Sequence, residues 1–298
     1  MKRRDLVTNI AAAAAGVALN SCATSQPIKI PKVIEPKEKI IDLGATINHS
    51  VCKWCYNSIP LEEFADRCKD IGISSIELLN PDQWDTVISR GLTCAISNGS
   101  SLGIPRGFND RQYHNQLTKD IMPIIPMAAD KGIPQIITFS GNRGTISDED
   151  GLENCAIGLK KIVKEAEKYD VTIIMELLNS KVDHKDYMCD HTDWGVKLVE
   201  KVGSPNFRLL YDIYHMQIME GDIIRTIRDN AKYISHYHTG GVPGRNEIDE
   251  TQELYYPAIM KAIAETGYDG FVAQEFIPSR ADALKSLEQG VNICNITL

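Results

Sequence analysis

The chain has 298 residues, of which 43% are hydrophobic and 24% charged, with a mean hydropathy of −0.21. These are ordinary values for a globular protein, and they exclude disordered, collagen-like and multispan membrane classes. The net charge of −8 excludes a general nucleic-acid binder, because such a protein needs surplus basic residues to neutralise phosphates.

Residues 1–22 have the order of a bacterial export signal: a basic start at residues 2–4, then an uncharged alanine-rich run. Arg3 and Arg4 resemble a twin-arginine signal, and residues 19–22 resemble a lipobox, whose cysteine is lipidated. We therefore expect an exported protein, periplasmic or anchored to the membrane through a lipid on Cys22. A Sec signal and an unmodified cysteine are the alternatives. The apolar run is about half of the ~20 residues needed to span a membrane.

Residues 23–39 carry three prolines among polar residues, which is typical of an extended linker. This leaves residues 40–298 as one catalytic domain. Besides Cys22 there are seven cysteines, an odd number that a complete disulfide framework cannot use. Cys52 and Cys55 form a CxxC pair, but no second pair exists to complete a four-thiolate zinc site.

Beyond residue 39 the sequence alternates short β-branched runs with longer amphipathic stretches, which predicts repeated strand–helix units. We predict eight strands, at 40–47, 75–79, 93–97, 135–140, 171–177, 207–213, 234–238 and 271–276. Helices are predicted at 61–71, 152–169 and 256–266. Eight units indicate an α/β protein with a closed (β/α)8 barrel, the TIM barrel. An open doubly wound sheet is the alternative, but no GxGxxG follows the first strand.

The predicted strands five to eight each end with a side chain that can bind a metal. In a TIM barrel the functional residues lie at these strand ends. Because an isolated buried carboxylate is costly, such residues need partners or a cation. Three carboxylates and one imidazole favour Mn2+, Mg2+ or Co2+ over a thiolate zinc site, although each residue alone could form a buried salt bridge. The four residues are Glu176, Asp212, His238 and Glu275.

Three stretches resemble a known family. Residues 211–222 read YDIYHMQIMEGD, residues 242–247 read VPGRNE and residues 267–272 read GYDGFV. Over residues 40–285 the chain resembles the xylose isomerase-like barrel superfamily and, within it, the hydroxypyruvate isomerase family. The resemblance implies a divalent ion, Mn2+ before Mg2+ or Co2+, held by the four residues above. It implies that Glu176 and Glu275 are the catalytic acid/base pair, and that His215 and Arg245 contact the substrate.

The sequence departs from the narrower family at one metal position. Hydroxypyruvate isomerases often carry Gln where His238 stands, whereas ketose 3-epimerases of the superfamily carry His in a similar HxHTG string. Those epimerases usually have a further Glu six residues after the first metal Glu, and this chain has Val182 there. The substrate therefore stays open between a hydroxy-oxo acid and a sugar.

The residue types fit proton transfer beside a carbonyl group. Moving a carbonyl between adjacent carbons requires a base, an acid and a positive charge that stabilises the cis-enediolate. Arg245 suits a substrate carboxylate, which a guanidinium binds through two hydrogen bonds; a solvated loop charge is the alternative. Asn179 and His49, near the ends of predicted strands five and one, are further candidates for substrate contact.

Three functions compete. An isomerase of small hydroxy-oxo acids or sugars, converting hydroxypyruvate to tartronate semialdehyde, is favoured over an exported epimerase of ketoses or 3-keto-glycosides. An abasic-site nuclease would share the barrel, but it needs a basic groove, and without residues 1–22 the net charge is −10. A non-catalytic carbohydrate-binding lipoprotein is disfavoured because both glutamates are intact. The expected partner is a small molecule, with no nucleic acid; a homo-oligomer stays open.

Overall fold

The computed structural model describes residues 47–296. The predicted export signal at 1–22, the lipid site Cys22, the linker at 23–39 and all but the last residue of the first predicted strand lie outside the described residues. Within the described part of the chain, no helix has the length and apolar composition to cross a membrane.

Eight parallel strands form one sheet, in the order β2-β1-β8-β7-β6-β5-β4-β3. Between β2 and β3 the sheet is completed by two isolated parallel bridges, Ser75 to Thr93 and Leu79 to Ser97. The predicted (β/α)8 barrel is confirmed. The strands are β1 Asn48–Cys52, β2 Ser75–Glu77, β3 Ile96–Ser97, β4 Gln135–Thr138, β5 Thr172–Leu177, β6 Phe207–Asp212, β7 Ile234–Thr239 and β8 Phe271–Gln274.

The prediction of the first strand was wrong. The barrel strand is Asn48–Cys52, which pairs with β2 and β8, and Ile47 lies just before it. The reason is that successive side chains of a strand face opposite sides. The barrel-facing residues of β1 are Asn48, Ser50 and Cys52, so the strand lacks the apolar run that marks the later strands. The apolar run at 40–47 was taken for it instead.

Ten α-helices lie in the described residues. The predicted helix at 61–71 is confirmed at both ends, because Gly72 follows it with a left-handed φ of 88° and caps its last carbonyls. The helix predicted from 152 begins at Asp148, since the Ser147 side chain accepts a hydrogen bond from the Asp150 amide. The helices are α1 Leu61–Ile71, α2 Trp84–Ile88, α3 His114–Ile121, α4 Ile124–Asp130, α5 Asp148–Tyr169, α6 Thr192–Val202, α7 Ile213–Met219, α8 Ile223–Asn230, α9 Tyr256–Glu265 and α10 Ala283–Cys294.

Two apolar clusters hold the barrel together. The larger one lies between the sheet and the helices. The smaller one fills the inside of the barrel and consists of Ala95, Ile96, Ile137, Ile174 and Leu210. Ile174 and Leu210 stand two residues before Glu176 and Asp212 on the same faces of β5 and β6. The inner cluster therefore forms an apolar floor beneath the polar ends of these strands.

The segment after β3 packs directly on the end of β4. The amides of Phe108 and Asn109 donate to the carbonyls of Phe139 and Ser140, at 3.2 and 2.8 Å. A Cβ on Gly107 would lie 2.3 Å from backbone atoms of Phe139, Ser140 and Gly141. Only glycine fits this contact without a backbone shift.

We predict that Gly107→Ala lowers the free energy of unfolding by about 3 kcal/mol or more, because backbone must move to admit the methyl group. Gly103→Ala is the matched control in the same segment. Gly103 has a φ of 71° and nothing within 4 Å of its Cβ position, so only the left-handed conformation costs energy there. That cost is about 1 kcal/mol. Urea unfolding of both variants checks this, and equal losses would contradict the close approach.

Candidate metal and substrate site

Four side chains converge at the carboxyl ends of β5 to β8. Asp212 ends β6 and pairs in register with His238 of β7, Glu176 is the penultimate residue of β5, and Glu275 directly follows β8. One ligand atom from each lies within 4.8 Å of those of the others. All four side chains are buried. The structure thus brings together the whole metal set that the sequence suggested.

This group concentrates negative charge in an apolar environment. Burial and the charge of Glu275 raise the pKa of Glu176, and burial raises that of Asp212 well above its ordinary value although Arg245 opposes the shift. Burial acts on Glu275 as well, but His238 and Arg245 outweigh it and lower its pKa. Three crowded carboxylates are an arrangement that a cation would stabilise.

Among the described residues, Arg245 is the only Lys or Arg within ion-pair distance of these four side chains. One guanidinium nitrogen lies 3.2 Å from Asp212 Oδ2 and 2.5 Å from Glu275 Oε2. The guanidinium also lies over the rings of Trp54 and Tyr214, at 5.2 and 5.3 Å from their centres. Its expected role was to bind a substrate carboxylate. The structure places it at the cavity wall with its charge already shared by two carboxylates.

A cavity of about 340 Å3 adjoins this group, and Glu176 and Glu275 line it. This is within the usual range for small-molecule sites, ~300 to 1,000 Å3. Glu176, Glu275, Arg245 and His184 form a polar side. The rest of the lining consists of Trp54, Asn98 and an apolar wall formed by Leu78, Ile104, Ile137, Phe139 and Leu178. The cavity therefore offers charge to one part of a ligand and an apolar wall to the rest.

His49 does not reach this cavity, so its expected substrate contact is corrected. It is the second residue of β1, and Cys52 of the opposite face contacts His238, which turns His49 outward toward the helices. Its burial there lowers its pKa to about 4. The error follows from the misplaced first strand, which made His49 seem to follow a strand end.

His215 and Asn179 lie beside the metal set but behind the cavity wall. The Asn179 amide nitrogen is 2.6 Å from His215 Nδ1 and donates to Asp183 at 2.6 Å. His215 Nε2 is 3.6 Å from Asp212 Oδ2, and the Asp212 side chain accepts from the His215 amide at 3.1 Å. These contacts support Asp212. Substrate contact by either residue stays a prediction.

The sequence analysis missed two residues that contact the metal set. Trp54 donates from its indole nitrogen to Glu275 Oε1 at 2.8 Å, and it was hidden because the first strand was misplaced. Glu77, the last residue of β2, lies 2.8 Å from His238 Nε2. An acid at the end of an apolar strand was the signal used for the later strands, and the same signal is present at Glu77.

Glu247 ties together the two loops that carry Arg245 and Glu275. Its carboxylate accepts from the amide and hydroxyl of Ser279 at 3.0 and 2.7 Å, and from the Ser286 hydroxyl at 2.8 Å. Burial alone would raise the pKa of Glu247, but these hydrogen bonds lower it to about 2. The ionised carboxylate thus holds the mouth of the cavity in place.

Comparison with known proteins assigns the family. Residues 56–293 match the model of the xylose isomerase-like TIM barrel family. The chain belongs to this family. It is 33% identical to a putative hydroxypyruvate isomerase of Homo sapiens over 118 residues, which are 40% of this chain and 42% of that protein. It is 33% identical to a 2-oxo-tetronate isomerase of Cupriavidus necator over 127 residues, 43% of this chain and 46% of that protein.

These two matches span less than half of either relative. Among solved structures, the 3-keto-D-glucoside 4-epimerase of Escherichia coli superposes with a TM-score of 0.71 at 16% identity, covering 83% of this chain and 98% of that one. At this identity the likeness concerns the fold. The family assignment agrees with the resemblance in the sequence.

We predict that Glu247→Gln removes part of the pH dependence of the free energy of unfolding in acid. The carboxyl pKa is near 2 in the folded protein and about 4.3 unfolded. Its stabilisation is therefore complete above about pH 4.3 and is lost as the pH falls toward 2, by roughly 2 to 3 kcal/mol. Urea unfolding at several pH values between 5 and 2 measures the difference. Glu265→Gln, which removes a surface partner of Arg228, should keep the wild-type pH dependence. The same dependence in Glu247→Gln would contradict the prediction.

Proposed function

We propose that this protein is a divalent-metal-dependent isomerase that moves a carbonyl group between adjacent carbons of a small hydroxy-oxo acid or sugar. The observation that carries the proposal is the convergence of Glu176, Asp212, His238 and Glu275 beneath a cavity of substrate size. The isomerase names of the two curated relatives support it. The reaction proposed first is hydroxypyruvate to tartronate semialdehyde.

The donor set fits a divalent ion. Three carboxylates and one imidazole, all buried and with donor atoms within 4.8 Å of one another, suit Mn2+, Mg2+ or Co2+, and Mn2+ is the ion proposed first. When bound, the ion would supply Lewis-acid charge to the substrate oxygens that become negative during the reaction. Its positive charge would also offset the negative charge of the crowded carboxylates, which Arg245 alone offsets only in part.

The protein's own groups then carry the proton. Glu176 and Glu275 both line the cavity, from strands on different sides of His238. One carboxylate removes a proton from the hydroxyl-bearing carbon beside the carbonyl, and a carboxylate delivers a proton to the former carbonyl carbon of the cis-enediolate. The hydroxyl proton passes to the former carbonyl oxygen, so the number of protons is unchanged. Trp54 holds Glu275 Oε1, which fixes the direction of the other oxygen. The apolar wall keeps water away from the intermediate.

A second candidate is an epimerase of ketoses or 3-keto-glycosides. The cavity volume favours it, because a three-carbon acid would leave much of the cavity of about 340 Å3 unfilled. His238 at the metal position, with the HxHTG string around it, also matches the epimerase pattern. The same metal and the same pair of glutamates would serve both reactions.

We predict that Glu176→Gln and Glu275→Gln each reduce the reaction by about 10^2- to 10^4-fold, because a positioned acid or base is lost. The measurement is the exchange of carbon-bound protons in D2O, followed by NMR with hydroxypyruvate and with a set of ketoses. EDTA should abolish exchange and Mn2+ should restore it. Glu220→Gln, which removes a carboxylate bound to Thr192 away from the cavity, is the control. Full exchange in either site variant would overturn the proposal.

We predict that Arg245→Lys separates the two substrate classes. If Arg245 binds a substrate carboxylate, KM for hydroxypyruvate rises by about 10-fold or more, since a charge-assisted hydrogen bond is worth ~1.5 to 3 kcal/mol. KM for a neutral ketose changes far less. Steady-state kinetics on both substrates measures this. Equal effects on both substrates would mean that Arg245 acts by holding Asp212 and Glu275.

A further inference from the structure

Glu77 is a buried carboxylate that the proposed reaction does not use. It ends β2, its side chain is fully buried, and Oε2 has no hydrogen-bond partner among the described residues. Its ion-pair neighbours, within the same part of the chain, are two histidines and no Lys or Arg. Burying a carboxylate that has no fixed cation beside it costs free energy, so the position of Glu77 calls for a specific explanation.

The two ring nitrogens of His238 face different carboxylates. Glu77 Oε1 lies 2.8 Å from His238 Nε2, a distance at which an ionised carboxylate can accept a hydrogen from that nitrogen. The opposite nitrogen, Nδ1, faces the cavity side, 2.8 Å from Glu275 Oε2 and 3.5 Å from Glu176 Oε1. The imidazole ring thus spans two carboxylate environments, one beneath the site and one inside it.

We propose that Glu77 is a positioning residue that holds the hydrogen of His238 on Nε2, so that Nδ1 is the nitrogen available to a metal ion. This inference rests on the metal-dependent function proposed above. A carboxylate on the far nitrogen of a metal-binding histidine fixes its tautomer and its ring direction, and increases its basicity as a ligand.

Among the side chains near His238 Nε2, Glu77 is the principal partner. Cys52 Sγ lies 3.8 Å from both His238 Nε2 and Glu77 Oε1, which is a weak contact compared with 2.8 Å. His236 Nε2 lies 3.1 Å from the same Glu77 oxygen but forms no hydrogen bond among the described residues, so the shorter contact of Glu77 is the one with His238. Strands β2 and β7 are not neighbours in the sheet order. The contact between Glu77 and His238 therefore crosses the inside of the barrel and holds the His238 ring on the side away from the cavity.

The test uses the full chain and Co2+ as the probe. Glu77→Ala removes the acceptor, whereas Glu77→Gln keeps its shape and leaves an amide oxygen that still accepts the Nε2 hydrogen. Asp190→Asn is the control: a buried carboxylate that binds Arg143 and Ser180 and touches none of the four proposed metal ligands. Circular dichroism verifies that each variant is folded.

Two quantities are measured. Visible absorption gives the Co2+ dissociation constant and stoichiometry, and NMR in water gives the solvent exchange of the metal-shifted histidine N–H proton. We expect one Co2+ and one protected N–H signal in the wild type. Glu77→Ala should lose that protection and weaken Co2+ binding by about 10- to 100-fold. Glu77→Gln should weaken it less and keep the signal, and Asp190→Asn should match the wild type.

The outcomes separate this inference from the proposed function. Wild-type affinity and N–H protection in Glu77→Ala overturn the positioning role and leave the metal-dependent isomerase intact. Two Co2+ ions in the wild type and one in Glu77→Ala make Glu77 a ligand of its own, which also overturns it. No Co2+ binding by the wild type overturns both proposals. If Glu77→Ala does not fold, Glu77→Leu replaces it, because leucine fills the space and accepts no hydrogen bond. Wild-type Co2+ affinity together with wild-type N–H protection in that variant is then the contrary result.

Discussion

The crowding of three buried carboxylates at the carboxyl ends of β5, β6 and β8 is the constraint on which this site depends. Glu176, Asp212 and Glu275 are each buried, and each would be costly there alone. The protein meets the cost with one imidazole and one guanidinium, both held in fixed positions. The remaining negative charge is what a bound cation would balance.

Supporting contacts reach the group from several sides. Trp54 holds Glu275 from above, Glu77 lies beneath His238, and His215 borders Asp212. Glu247 links the two loops around Arg245 and Glu275. Preorganised groups of this kind reduce the reorganisation that a reaction would otherwise require. The arrangement also means that a substitution outside the cavity can impair the site without touching a ligand.

Much of this could be predicted from the sequence, and the remainder has physical reasons. The late strands could be recognised in the sequence because apolar runs end in single charged residues, as at Glu176 and Asp212. Helix α1 was placed correctly because Gly72 marks its end. Strand β1 was missed because its barrel-facing residues are polar. The partners of Arg245 could not be inferred, since they depend on the path of a loop and no periodic pattern encodes that path.

The seam between β2 and β3 gives the barrel an uneven stiffness. Strand β3 has two residues and is joined to the β2 segment by isolated bridges and four backbone hydrogen bonds, whereas β5 and β6 pair over five consecutive residues. Leu78 and Asn98, which line the cavity, lie on either side of this seam. The side-chain amide of Asn98 donates a hydrogen bond of 2.9 Å to the Leu78 carbonyl. Local opening is easier where strands are short and their pairing is interrupted. The part of the cavity wall next to β2 and β3 is therefore expected to shift more readily than the part carried by β5 and β6.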